Sequence, residues 1–173
     1  YSVRVIRLPA VFCAVPCFFA SYFLVKEMLQ SKKWALLGPV FVTITPYFMM
    51  SERWALDCNL FLSLATVAFY FYYKAIKSEK PGFYIIAGIS LGITLYTYVI
   101  SYIVLPLFLL FVTLYLIYIK KFDFKKTAAL AVPLALLALP LFLMQLINMG
   151  VFPEFSTFSS DFKALPWYRG SEF

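Results

Sequence analysis

Residues 83–119 read FYIIAGISLGITLYTYVISYIVLPLFLLFVTLYLIYI, a run of 37 residues without a charge. A membrane-crossing helix needs about 20 apolar residues, so this run is too long for one crossing and just long enough for two short ones. Its hydroxyl groups concentrate at residues 94–102 (TLYTYVISY), where we predict the break between the two helices. This run therefore predicts a chain that crosses a membrane several times.

The composition of the whole chain agrees with that interpretation. Hydrophobic residues make up 64% of the 173 residues and charged residues 13%, whereas soluble domains are nearer half apolar and a quarter charged. These figures exclude a soluble globular domain, a disordered chain and a disulfide scaffold. The sequence contains no histidine, which excludes His-based acid–base catalysis and His metal ligands.

The basic residues are arranged as they are in membrane proteins. The net charge is +7, which in a soluble domain could indicate nucleic-acid binding. Here the lysines cluster between apolar runs, which is the pattern that sets membrane topology, so we predict no nucleic-acid partner.

The apolar runs predict an all-α fold, that of a polytopic membrane protein with about six transmembrane helices. The predicted spans are residues 8–25, 34–50, 58–73, 83–99, 102–119 and 128–148, followed by a tail at 151–173. Three lysine-rich loops, at 26–33, 74–80 and 120–126, hold about ten of the fifteen basic residues, against three acids. The positive-inside rule makes these loops cytoplasmic and the tail extracytoplasmic. Placing all three loops on one side requires two crossings between the second and the third.

Three smaller patterns have structural interpretations. Residues 69–73 (FYFYY) predict an aromatic belt at headgroup depth. Gly88 and Gly92 predict a close approach between helices. Cys13 and Cys17 lie in an apolar run, so we interpret them as small packed residues rather than as a disulfide or a metal site.

The polar segment 51–57 (SERWALD) is the strongest candidate for a functional site. Glu52, Arg53 and Asp57 lie at a predicted membrane edge, where ionisable residues are costly unless they are paired or face water. The guanidinium group of Arg53 is planar and permanently charged, and it suits bidentate binding of a phosphate or a carboxylate. Asp57 follows four residues later, so an Arg53–Asp57 ion pair that merely anchors a helix is an equal alternative.

Three tyrosines of the predicted break form a second candidate group. The hydroxyls of Tyr96, Tyr98 and Tyr102 could line a site for a sugar or a lipid phosphate, although an interfacial belt is the preferred interpretation. The sequence contains no phosphate-binding glycine loop, zinc pattern or nucleophile triad. We predict no metal site and no cofactor, and the requirement for a divalent metal stays open.

Several motifs of this chain resemble the GT-C superfamily of polytopic membrane glycosyltransferases. The closest branch is the bacterial relatives of dolichyl-phosphate-mannose protein mannosyltransferases and of aminoarabinose transferases. The first motif is an Arg-Leu-Pro that opens a span, here Arg7-Leu8-Pro9. The second is an Arg seven positions after a Pro, here Arg53 after Pro46. The third is a glycine-containing span that leads to tyrosines, here Gly88 and Gly92 before Tyr96-Thr97-Tyr98. The resemblance covers nearly the whole chain.

The resemblance implies a transferase that takes a sugar from a polyprenyl-phosphate donor at the outer face of a bacterial cell membrane. The acceptor would be a cell-envelope polymer or a protein, and the partners would be the polyprenyl-phosphate-linked sugar and membrane lipid. In such enzymes an extracytoplasmic Asp or Glu is the general base and an Arg or Lys binds the lipid phosphate. Arg53 is the best match to that cation. Two positions depart from the pattern, since Glu52 replaces a common Ser and Leu56 a common second Arg.

The acidic catalytic motif of the family lies before the Arg-Leu-Pro span, and therefore upstream of residue 1. The resemblance thus implies a fragment without its N-terminal span and first extracytoplasmic loop. We expect the 173-residue chain to be inactive alone, and sugar transfer by the purified chain would refute this. The alternatives are a transporter or flippase and a non-catalytic membrane subunit. A carrier would tend to show related halves, and none is evident in this sequence.

Overall fold

The computed structural model describes the backbone of residues 3–46, 57–151, 153, 155–157 and 160–163, and the side chains of residues 12–46, 60–151, 153, 162 and 163. The α-helices within these residues are α1 (Val3–Leu29), α2 (Leu37–Ile44), α3 (Asp57–Ser78), α4 (Pro81–Leu95), α5 (Ser101–Tyr118) and α6 (Phe124–Asn148). A short 3-10 helix (Trp34–Leu36) precedes α2, and β1 (Phe155–Thr157) pairs antiparallel with β2 (Ser160–Phe162) in the tail. The predicted all-α fold is confirmed, and the short strand pair was not predicted.

Within the part of the chain that the structure describes, three helical segments are long and apolar enough to cross a membrane: Phe12–Leu29, Ser101–Tyr118 and Phe124–Asn148. The apolar helices Trp34–Ile44 and Pro81–Leu95 are shorter. Large apolar side chains cover the outside of the bundle, such as Phe111 (65% exposed) and Leu136 (68% exposed). So extensive an apolar surface is costly in water and suits lipid, which identifies a membrane protein.

The helices do not pack in the order of the sequence. Helix α1 packs against α2 and α3, α3 packs against α4, and α4 packs against α6. Helix α5 contacts α4 only lightly and reaches the bundle through Phe108, whose ring centroid lies 4.5 Å from that of Phe69 and 5.9 Å from that of Tyr72, both on α3. The core therefore lies among α3, α4, α5 and α6, with Leu91 and Leu105 fully buried.

Three rings of the predicted aromatic belt at residues 69–73 pack against other helices, and the depth of these residues in a membrane stays a prediction. Phe69 and Tyr72 face Phe108, as described above, whereas the ring centroid of Tyr70 lies 5.9 Å from that of Phe23 on α1. Residues three apart share one face of a helix and the residue between them points elsewhere. Since α3 has neighbours on two sides, its consecutive aromatic residues pack against both.

The predicted span 34–50 differs from the structure, in which the helix ends at Ile44. Thr45 is extended (φ −64°, ψ 117°), because the ring of Pro46 disfavours the helical conformation in the residue before it. The helical stretch Trp34–Ile44 is about 16 Å long, short of the ~30 Å hydrocarbon core. Residues 47–50 lie outside the described residues.

The predicted break within residues 94–102 is confirmed, although α4 ends at Leu95 rather than at 99. Side chains satisfy carbonyl groups that the end of a helix leaves open. The Thr97 hydroxyl donates to Thr94 O (2.6 Å) and the buried Ser101 hydroxyl donates to Leu95 O (3.2 Å). The hydroxyl cluster thus terminates one helix and fixes the start of the next.

The three lysine-rich loops lie together at one end of the bundle, which we call the basic end (residues 30–33, 79–80 and 119–123). Ion pairs join them. Lys77 Nζ lies 2.7 Å from Glu27 Oε2, and Lys126 Nζ lies 3.0 Å from Glu79 Oε2 and 3.7 Å from Asp123 Oδ2. The three acids of the basic loops are thus all engaged with lysines.

Each loop of the basic end has a left-handed residue at its first or second position. The φ angles of Gln30, Glu79 and Lys120 are 53°, 55° and 57°, a conformation that commonly stops a helix and that glycine adopts most easily. Non-glycine residues hold it here at a cost of about 1–2 kcal/mol each. The tight reversals bring successive helices back antiparallel.

Gly88 and Gly92 bring α4 close to α6, as predicted. A Cβ at Gly88 would collide with Leu130 O and lie 2.8 Å from Pro133 Cγ. A Cβ at Gly92 would lie 2.6 Å from Leu137 Cδ1. The two backbones can approach this closely only because both positions lack a side chain.

Candidate functional site

The end of the bundle opposite the basic loops, the far end, holds most of the predicted site. It contains the start of α3 at Asp57, the turn between α4 and α5 (residues 96–100) and the end of α6 at Asn148. Glu52, Arg53 and the side chain of Asp57 lie outside the described residues. The backbone of Asp57 places the polar segment's last residue at the far end.

The three candidate tyrosines lie at the far end with different surroundings. The Tyr96 hydroxyl donates to Leu137 O on α6 (2.7 Å). Tyr98 is 44% exposed. Tyr102 lines a cleft, so only this hydroxyl is placed to meet a ligand there.

This far-end cleft lies between α4, α5 and α6 and has a volume of about 380 Å³. Two of its lining side chains are polar, Tyr102 and Gln145. The others are apolar: Leu95, Pro106, Ala138, Leu141 and Phe142. A cleft of this size with apolar walls and few polar groups is typical of a site for an apolar ligand with one polar end.

The packing of the helices explains why a cleft forms there. Helix α6 packs against α4 rather than against α5. The Tyr96–Leu137 hydrogen bond holds α4 to α6 near the far end. Helix α5 approaches this pair with Pro106 and with fully buried Leu105. The space between α5 and α6 is therefore left open beyond the last turn of α4.

Most residues of the cleft belong to no pattern that could have marked them in the sequence. Its apolar lining residues look like any residues of a membrane span, and Gln145 is adequately explained there by hydrogen bonding between helices. The prolines inside α5 and α6 were the one indication of an irregular space between these helices, because prolines distort helices. Within the described residues, no three His, Cys, Asp or Glu side chains come together to hold a metal ion.

The model of the family described as dolichyl-phosphate-mannose-protein mannosyltransferase matches residues 2–147. No curated protein and no solved structure matches the chain. The family match extends from α1 to the penultimate residue of α6 and includes all residues that line the far-end cleft.

Proposed function

Because the chain belongs to the dolichyl-phosphate-mannose-protein mannosyltransferase family, we propose that it forms the donor-lipid region of a glycosyltransferase that uses a polyprenyl-phosphate-linked sugar. The family is one of GT-C-type membrane glycosyltransferases, so the resemblance seen in the sequence is confirmed. This membership favours a transferase over a transporter, a flippase or a non-catalytic subunit. The proposed acceptor is a cell-envelope polymer or a protein.

The far-end cleft carries this proposal. A polyprenyl chain is apolar and branched, and the cleft offers Leu95, Ala138, Leu141 and Phe142 as walls for it. Since lipid tails are as apolar as these walls, packing and orientation rather than escape from water would hold the chain there. Tyr102 would lie toward the polar end of the donor.

Arg53 is proposed to contact the phosphate of the donor. It precedes the start of α3 by four residues, and α3 starts at the same end of the bundle as the cleft. A guanidinium stabilises the negative charge that develops on a departing phosphate. Glu52 and Asp57 would orient Arg53 or the donor in this proposal, since neither matches a known catalytic position of the family.

We further propose that the basic end faces the cytoplasm of a bacterial cell and the far end faces outward. The clustering of the lysine-rich loops at one end, joined by the Glu27–Lys77 and Glu79–Lys126 ion pairs, supports a common side for all of them. The positive-inside rule then assigns that side to the cytoplasm. The tail after α6 would lie outside.

The cleft can be tested by partly filling it in the full-length enzyme. Ala138 lines it, whereas Ala135, one turn earlier on α6, is exposed and lines no described cleft. We expect Ala138→Phe to lower kcat/KM for the long-chain polyprenyl-phosphate donor by about tenfold, which corresponds to about 1.4 kcal/mol of lost packing and orientation. Ala135→Phe should change kcat/KM little, because the ring points to lipid.

A second donor separates a blocked cleft from a misfolded protein. A donor whose prenyl chain is too short to enter the cleft should be used equally well by Ala138→Phe and by the wild type. Equal losses with both donors, or equal effects of Ala138→Phe and Ala135→Phe, would contradict a role of the cleft in donor binding. Elution of both variants as monodisperse species in detergent provides the folding control.

A further inference from the structure

A second cleft opens at the basic end, between α3, α4, α5 and α6, and none of the functional residues proposed above lies in it. Its volume is about 200 Å³, below the ~300 Å³ of an ordinary small-molecule pocket. Leu109 and Leu116 of α5 and Leu130 of α6 form its apolar wall, and its polar mouth contains Lys121, Lys126 and Asp123. The cleft is therefore apolar toward the bundle and charged toward the loops.

Two tyrosines place unused hydroxyl groups in this cleft. Tyr72 is 5% exposed and Tyr84 is 7% exposed, and both line the cleft. Neither hydroxyl bonds to another described residue, and neither oxygen is sealed in the core, so both are open to the cleft. A ligand with acceptor oxygens can therefore accept hydrogen bonds from them there.

The charges at the mouth leave one lysine available. Lys126 is held by Glu79 at 3.0 Å and by Asp123 at 3.7 Å. Lys121 lines the cleft but has no ion pair or side-chain hydrogen bond within the described part of the chain. Lys121 is thus the cation that can meet an anionic group in the cleft.

We propose that the basic-end cleft binds the phosphate group of an anionic membrane phospholipid. Lys121 would pair with the phosphate, the Tyr72 and Tyr84 hydroxyls would donate to its oxygens, and the first carbons of the lipid would lie against Leu109 and Leu116. Basic clefts between transmembrane helices commonly take such headgroups, and the basic side of a membrane protein meets the anionic leaflet. The cleft volume fits the phosphate and glycerol end of the lipid, while the rest of the acyl chains stays in the bilayer.

Neighbouring residues supply matched controls for a binding experiment. Lys120 precedes Lys121 in the same loop, and Tyr73 follows Tyr72 on the same helix, but neither Lys120 nor Tyr73 lines the cleft. The full chain, stripped of lipid in detergent, would be titrated with phosphatidylglycerol or phosphatidylcholine in mixed micelles. The rise of the thermal unfolding midpoint with lipid concentration gives the apparent Kd.

The wild type is expected to bind phosphatidylglycerol about tenfold more tightly than phosphatidylcholine. Lys121→Gln should remove about tenfold in phosphatidylglycerol affinity and Tyr72→Phe about fivefold. Lys120→Gln and Tyr73→Phe should stay within about twofold of the wild type.

Three results would overturn the assignment. Equal weakening by Lys121→Gln and Lys120→Gln would show only a general attraction between the basic loops and anionic lipid. Equal affinity of the wild type for the two phospholipids would remove the headgroup preference. Stabilisation by inorganic phosphate but not by phosphatidylglycerol would show a site for a free anion. Sugar transfer is not needed for any of these measurements, so they are independent of the proposed enzymatic function.

Discussion

Replacing Gly88 by alanine is expected to force α4 away from α6. The added Cβ would meet the backbone oxygen of Leu130 and would lie 2.8 Å from Pro133 Cγ. Neither obstacle can rotate aside, because one is a main-chain atom and the other belongs to a ring within a helix. The helices must therefore separate, and the Tyr96–Leu137 hydrogen bond (2.7 Å) stretches with them.

The size of the effect follows from three contributions. Overpacking a tight contact costs about 1–3 kcal/mol, and the immovable partners place Gly88 near the upper value. Weakening the Tyr96 hydrogen bond adds about 1 kcal/mol. The better helix propensity of alanine returns at most about 1 kcal/mol. We therefore expect a net loss of about 2–3 kcal/mol, which lowers the unfolding midpoint by about 5–10 °C for a chain of this length.

The assay is thermal unfolding of the detergent-purified protein, followed by loss of the monodisperse species. Gly82→Ala is the matched control, since a Cβ at Gly82 has nothing within 4 Å. The midpoint of that variant should change by less than a third of the Gly88→Ala shift. Tyr96→Phe should cost little in the Gly88→Ala background, because the hydrogen bond is already weakened. An unchanged midpoint for Gly88→Ala, or an equal loss for Gly82→Ala, would refute this account of the contact.

Three further outcomes are expected. In the full-length enzyme Arg53→Ala should abolish sugar transfer with little loss of folded protein, measured with a labelled polyprenyl-phosphate donor; retained activity would make Arg53 an anchor only. A reporter fused after Lys126 should report a cytoplasmic position, and an extracellular signal would invert the proposed topology of α6. Lys120→Gly should raise the unfolding midpoint slightly, because glycine adopts φ 57° without strain; a lower midpoint would show that the lysine side chain contributes more than its backbone strain costs.

The sequence was sufficient wherever a local pattern determines the chain's path. The hydroxyl cluster predicted the break between α4 and α5 because those hydroxyls bond to the carbonyls at the helix end. The lysine clusters predicted a common end because charges are excluded from the hydrocarbon. The end of the helix at Ile44 also follows from a local pattern, since Pro46 favours an extended residue before it. Pro46 is visible in the sequence, but the predicted span 34–50 was based on the hydropathy of the run instead.

The clefts could not be predicted, because they depend on which helices are neighbours. Hydropathy does not reveal that α4 packs against α6 while α5 stays apart. The same limitation applies to the packing of the aromatic residues 69–73, since Tyr72 packs against Phe108 only if α5 approaches α3. Of the candidate tyrosines, Tyr102 alone lines a described cleft, and Tyr96 serves the α4–α6 contact instead.

Helix α6 makes the two clefts dependent on the same contact. Leu130 lines the basic-end cleft and Ala138 lines the far-end cleft, and both lie on the helix that Gly88 and Gly92 hold against α4. A change that moves α4 away from α6 should therefore weaken both phospholipid binding at one end and donor use at the other. Ala138→Phe acts at the far end only and should leave phosphatidylglycerol affinity unchanged. The two variants together distinguish a ligand site from the scaffold that supports it.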